Sequence, residues 1–131
     1  MHMLTKLLIP IFASIIFNQA GIASFEKHAV EGVWLVAEGN SKIFIAACDG
    51  KFCGRIQWKK DGNNNGKIGT MILKDFSATD EKTLDGGKIF DPGKGKWYNG
   101  RLRIDKDGKL EVRGWVGMPA MGKSVYWTRS K

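Results

Sequence analysis

The chain is 131 residues long, glycine-rich at 17 Gly, and carries five Trp and a formal net charge of +8. That length leaves room for one domain with a single modest core. Long helical periodicity is missing, which argues against a helical fold.

At the N-terminus Lys6 precedes the apolar run LLIPIFASIIF (7–17), and the small and polar NQAGIAS (18–24) follows. A charged head, a short apolar middle and a small-residue exit predict a secretory signal peptide over 1–23, cleaved after Ala23. The run falls short of the roughly 20 apolar residues that span a bilayer, and Pro10 interrupts it. The expected mature chain, 24–131, is therefore a single periplasmic or secreted domain that does not span the membrane.

The rest reads as short strands between turn signals. GVWLVAEG (32–39) comes first, and Asn40-Ser41 turns the chain into KIFIAAC (42–48). FCGRIQWKK (52–60) returns, DGNNNG (61–66) is a polar loop, and GTMILKDF (69–76) is the fourth strand. ATDEKTLDGG (78–87) reads as a loop before a short KIF strand (88–90). Asp91-Pro92-Gly93 turns into KWYNGRLRI (96–104), a three-residue KDG turn (106–108) leads to KLEVRGWVG (109–117), and SVYWTRS (124–130) closes the chain. The KDG turn sets Ile104 opposite Leu110, Leu102 opposite Val112, Arg103 opposite Glu111 and Arg101 opposite Arg113. One face of that hairpin is apolar and the other charged, the pattern of an antiparallel sheet with one wet face. About eight such strands predict an all-β fold, a small antiparallel up-and-down barrel; a two-sheet sandwich satisfies the same pattern, and the hairpin-like connections favour the barrel.

Both cysteines, Cys48 and Cys53, flank the Asp49-Gly50 turn signal. Outside the cytoplasm paired thiols oxidise and stay oxidised, so a structural Cys48–Cys53 disulfide is expected. A turn over Asp49–Phe52 sets the two cysteines face to face, with Ile45 opposite Ile56 and Ile43 opposite Trp58. A two-residue loop keeps the same faces and shifts the pairs. Parity does not decide between them; the bond favours the first register.

Chemistry-bearing constellations are sparse. Asp61, Asn63, Asn65 and Gly66 match the first positions of an EF-hand loop, but Ile72 stands where the bidentate Glu belongs and Lys67 at the seventh position, so no metal site is expected. His28 is the one histidine of 24–131 and no G-x-S-x-G is present, which leaves nucleophilic catalysis without its parts. Asp75, Asp85 and Asp91 are the remaining carboxylates for acid–base work, Asp91 reading as a turn residue before Pro92. Gly93-Lys94-Gly95-Lys96 lacks P-loop spacing, and no cofactor is implied. Lys59, Lys60, Lys94, Lys96, Arg101 and Arg103 form a candidate basic face. For an exported protein that face fits an anionic envelope component or a protein partner rather than nucleic acid.

Gly32-Val33-Trp34 opens the first strand and Trp127-Thr128-Arg129 ends the last. Between them stand CDGKFCGRIQW (48–58), GGKIFDPGKGKWY (86–98) and LEVRGWVG (110–117). Together these resemble the bacterial family of exported proteins catalogued as domain of unknown function 2147. The resemblance implies a lipocalin-like (calycin) barrel and no established activity. It also implies that Gly32 and Trp34 lie at the closed end of the barrel with Arg129 packed over the indole, a cation–π contact. On this reading Trp34, Ile43, Ile45, Ile56, Trp58, Tyr98 and Leu102 face inward and line a site for a small apolar or amphipathic ligand. The alternatives are an interaction or inhibitor module working through the basic face, and a carboxylate-based enzyme on envelope polymers.

Overall fold

A computed structural model describes residues 26–62 and 65–131; the expected signal peptide, 1–23, and Asn63 of the polar loop lie outside them. Eight antiparallel strands follow one another around a closed barrel: β1 (Gly32–Leu35), β2 (Ser41–Cys48), β3 (Lys51–Lys59), β4 (Met71–Asp80), β5 (Thr83–Asp91), β6 (Lys96–Ile104), β7 (Leu110–Trp115) and β8 (Lys123–Arg129). β8 pairs back onto β1 through Trp34–Arg129 and Leu35–Thr128. The barrel is the expected one, and the sandwich is excluded. The only helix among the described residues is a 3-10 turn, Pro119–Met121, in the β7–β8 loop.

The connections β1–β2, β3–β4, β5–β6 and β7–β8 share one end of the barrel, which we call the mouth. The tight turns after β2, β4 and β6 share the other end with the N-terminal segment 26–31. The β6–β7 register is the expected one, including Leu102 opposite Val112 and Arg103 opposite Glu111. Two features fix it. Gly108 takes the left-handed conformation at φ +79°, and the Asp105 carboxylate accepts the backbone N–H groups of Asp107 and Lys109 at 2.8 and 3.0 Å.

Inward-facing glycines explain how so small a barrel closes over large side chains. A Cβ at Gly87 would lie 2.4 Å from the Phe76 ring, one at Gly100 2.5 Å from Ile89, and one at Gly54 2.8 Å from Leu73. These glycines leave the centre of the barrel to Phe76, Leu73 and Ile89. Phe76, Leu73, Leu84, Leu102, Leu110, Trp34 and Val30 are fully buried, so the middle and closed end are packed solid.

Three expectations are corrected. First, Cys48 and Cys53 are free thiols rather than a disulfide. Asp49 and Gly50 both take positive φ, 51° and 80°, which makes the two-residue primed turn whose twist suits a hairpin. Cys48 therefore pairs with Lys51 and Cys53 with Ala46, and the thiols sit diagonally on the outer face. Second, Trp58 is not inside. Ile43 pairs with Ile56 but Lys42 with Trp58, so Gln57 is an extra, bulged residue. A bulge breaks strand parity and turns Trp58 outward, 40% exposed, with Lys42 Nζ 5.4 Å from its ring. Third, ATDEKTLDGG is not a loop. β4 runs to Asp80 and β5 starts at Thr83. The Asp80 carboxylate accepts the Lys82 N–H of the intervening turn at 2.9 Å. The outer residues Ser77–Asp80 are all exposed, which is why their polarity reads as loop.

Candidate functional site

The closed end is held by one arginine. The Arg129 guanidinium carbon lies 4.0 Å from the centroid of the buried Trp34 ring. The same group donates to the carbonyls of Glu31 at 2.7 Å and Ala29 at 2.8 Å, and Trp34 Nε1 donates to the Val30 carbonyl at 2.9 Å. The N-terminal segment is thus tied across the barrel floor. Gly32 makes this arrangement feasible: its φ is +126°, and a Cβ there would come within 2.8 Å of the Arg129 guanidinium.

The mouth is different. Two adjoining clefts share Ile89, Asp91, Val112 and Val125. The inner one, of about 260 Å³, is walled by Ile43, Ile56, Ile72 and Trp127. The outer one, of about 590 Å³, is walled by Tyr98, Val116 and Met121, with Lys94 and Lys123 at its rim. The outer cleft has the size and the mainly apolar lining of small-molecule sites; the inner one is smaller and is also bordered by Glu38, Asn40, Ser41 and Asn65. The Asp91 carboxylate is occupied by the backbone N–H groups of Gly93 and Lys94 at 2.9 and 3.2 Å, a turn-capping role.

The inward set expected from the sequence therefore divides three ways. Ile43, Ile56 and Tyr98 line the mouth clefts. Ile45, Leu102 and Trp34 lie in the packed core. Trp58 is outside. The sequence reading missed Val112, Val125 and the VGMPAMG loop as site residues, although the inward parity of β7 and β8 carried the signal for the two valines.

The carboxylates offered for acid–base work do not converge. Asp85 caps Gly86 at 2.8 Å, and Asp91 stands six residues further along the same strand. Asp75 occupies an outward bulge of β4 with φ +64°. The expected basic face is divided: Lys59, Lys60, Lys94 and Lys96 lie at the mouth end, while Arg101 and Arg103 lie further along β6. Arg103 is paired to Glu111 at 2.8 Å. The Ser124 hydroxyl, then Arg103, hold the Glu111 carboxyl below its usual range. A different basic groove, of about 430 Å³, opens on the outer wall of β4–β7. There Lys74 pairs across the strands with Lys88. Lys74 Nζ stands 4.3 Å over the Trp97 ring, Lys88 donates to the Asn99 amide oxygen at 2.5 Å, and Lys96 Nζ lies 5.3 Å over Tyr98.

A filled floor, an arginine stacked on the first-strand tryptophan and an open apolar mouth define a small lipocalin-like barrel. The solved structure of the Helicobacter pylori protein HP1028, described as belonging to the lipocalin family, superposes with a TM-score of 0.65 at 21% identity. The alignment covers 78% of this chain and 83% of that one. The chain belongs to the bacterial family described as an uncharacterized protein conserved in bacteria (DUF2147), whose model matches residues 32–129. No curated protein matches the chain.

Proposed function

We propose that this protein is exported to the periplasm or secreted, and that it binds a small apolar or amphipathic molecule at the barrel mouth rather than deep inside the barrel. One observation carries the reading: the apolar clefts lead from the packed core to a rim of exposed Val116 (59%), Met121 (76%) and Val125 (46%). Exposed apolar surface of this kind marks an interaction site. A short acyl chain or an aromatic ring lies against Val112, Val125 and Trp127, and an anionic head meets Lys94 or Lys123. The filled floor limits the ligand to a size well below that of a barrel-spanning lipid. The lipocalin-like fold supports ligand binding by analogy alone. Titration with the apolar probe N-phenyl-1-naphthylamine tests the reading, with probe emission and Trp127-sensitive protein fluorescence as readouts. Saturable binding weakened at least tenfold by Val125→Asp is expected; a non-saturable signal, or one indifferent to Val125→Asp, overturns it.

The lysine groove favours a second reading, recognition of an anionic envelope component. Lys74 and Lys88 are like charges directly opposed across two strands, which is unfavourable without a counter-charge. Asp75 lines the same groove, but the one ion pair among the described residues, Arg103–Glu111, lies elsewhere. An oligogalacturonate or heparin fragment that raises the melting temperature of the wild-type protein but not of Lys74→Ala/Lys88→Ala supports this reading.

A further inference from the structure

We infer that the mouth of the barrel docks on the surface of an anionic lipid membrane, with the β7–β8 loop as the inserting element. This deepens the reading of the mouth as an apolar-ligand site, since it supplies the source of the ligand. The loop is Val116-Gly117-Met118-Pro119-Ala120-Met121-Gly122, and it has no charged side chain. All of it except Gly122 is exposed, with Met118 at 66% and Met121 at 76%, and its 3-10 turn buries no residue. Ile68, 67% exposed in the β3–β4 loop, stands at the same end of the barrel. Met118, Pro119 and Ala120 at the tip of this loop are exposed and line neither cleft; Arg113 holds the loop by donating to the Pro119 carbonyl at 3.0 and 3.2 Å.

Charge along the barrel axis identifies the partner. The mouth-end segments 36–40, 59–70, 91–96 and 116–123 carry six lysines (59, 60, 67, 94, 96 and 123) against three acids, Glu38, Asp61 and Asp91. The closed-end segments 26–31, 48–51, 80–83, 104–110 and 129–131 carry seven lysines and arginines against seven acids. Of the two ends only the mouth is net positive; the strand walls between them, with seven lysines and arginines against three acids, are positive as well. Side chains such as Met and Val seated at the headgroup–acyl boundary, with lysines around them, are the pattern of reversible binding to anionic membranes. The docked orientation points the apolar clefts at the lipid, so that an amphipathic molecule enters the mouth without crossing water.

The experiment is flotation with vesicles of phosphatidylcholine alone or mixed with phosphatidylglycerol. It uses protein without residues 1–23, whose apolar run would itself bind lipid; the barrel is complete without them. Wild-type protein is expected to float with the phosphatidylglycerol vesicles and not with phosphatidylcholine alone. Met118→Asp should reduce binding more than tenfold, and each of Lys94→Ala and Lys123→Ala about fivefold, the effect of one lysine near an anionic surface. Met118 does not line either cleft, so Met118→Asp should leave uptake of N-phenyl-1-naphthylamine unchanged. Vesicle binding without probe uptake sinks the ligand reading and leaves docking standing. Equal flotation of Met118→Asp and wild type overturns the docking proposal. So does a wild-type dimer in solution that Met118→Asp dissociates, because a second copy then covers the loop.

Discussion

Replacing Arg129 by Ala removes three things at once from the barrel floor. The guanidinium no longer covers the Trp34 ring, from which its carbon stands 4.0 Å away. Two hydrogen bonds to the Ala29 and Glu31 carbonyls disappear, and the aliphatic stem no longer shields the indole from water. Arg129 is exposed, and a cation–π contact at an exposed site contributes about 0.5–1 kcal/mol. The hydrogen bonds are solvent-exposed and add about 0.5 kcal/mol each at most. The loss should be about 1–2 kcal/mol, which for a domain of this size lowers the melting temperature by roughly 4–16 °C. Urea unfolding followed by tryptophan fluorescence, with calorimetry alongside, measures it, and an unchanged m-value assigns the loss to stability rather than to the unfolded state. Arg129→Lys keeps the charge but loses the planar fork that reaches both carbonyls, and should restore less than half. If Arg129→Ala falls within about 0.5 kcal/mol of the wild type, the floor is held by apolar packing and the assignment of its stability to Arg129 is wrong.

Gly87→Ala should cost about 1–3 kcal/mol, because the new methyl meets the fully buried Phe76 ring; a neutral effect in urea unfolding would mean that Phe76 does not fill the centre. In protein kept reduced, burial and then the hydrogen-bonded Cys48 sulfur push the Cys53 thiol up to about 11. Iodoacetamide should therefore label Cys53 slowly near pH 8 and faster as the pH climbs toward that value; peptide mapping that finds fast labelling at pH 8 refutes the buried setting. Glu111 is held below its usual 4.5 by the Ser124 hydroxyl first. Its stabilising contribution is complete above pH 4.5 and is lost as the pH falls through the lower folded value. The melting temperature of Ser124→Ala should accordingly fall less between about pH 5 and about pH 3 than that of the wild type; parallel curves would refute the role of that bond.

Local rules read parts of the barrel well and others badly, for identifiable reasons. The β6–β7 hairpin was legible residue by residue, because a three-residue loop ending in Gly108 admits one register. The β2–β3 hairpin was not. Asp49-Gly50 fits a two-residue or a longer turn, and the Gln57 bulge reverses the face of every residue beyond it, Trp58 included. Bulges leave no mark in an alternating pattern. Hydrogen bonding, not polarity, decided the β4–β5 hairpin. The candidate site was half visible: Ile43, Ile56 and Tyr98 follow from parity, but where the packed core ends and the mouth begins depends on Phe76 lying across Gly87 and Gly100. The lysine groove was only partly visible: Lys96 belonged to the expected basic face, but the opposition of Lys74 and Lys88 follows from the β4–β5 register, which the polar stretch 78–87 concealed by reading as a loop.

Closure itself has a kinetic consequence. Seven of the eight strand pairings join neighbours in sequence, and each of those hairpins can form locally. The eighth joins β1 to β8 through only two residue pairs, and its arginine clasp bridges 98 residues between Glu31 and Arg129. Loop-closure entropy makes such a contact the slowest to find and the least able to form first. The β1–β8 seam should form last in folding and open first in the native state, with the amide of Ser130, bonded to the Val33 carbonyl at 2.8 Å, exchanging ahead of those in β4–β6. While the seam is open the curled sheet has two bare edges, the geometry from which β8 of one molecule can complete the barrel of another.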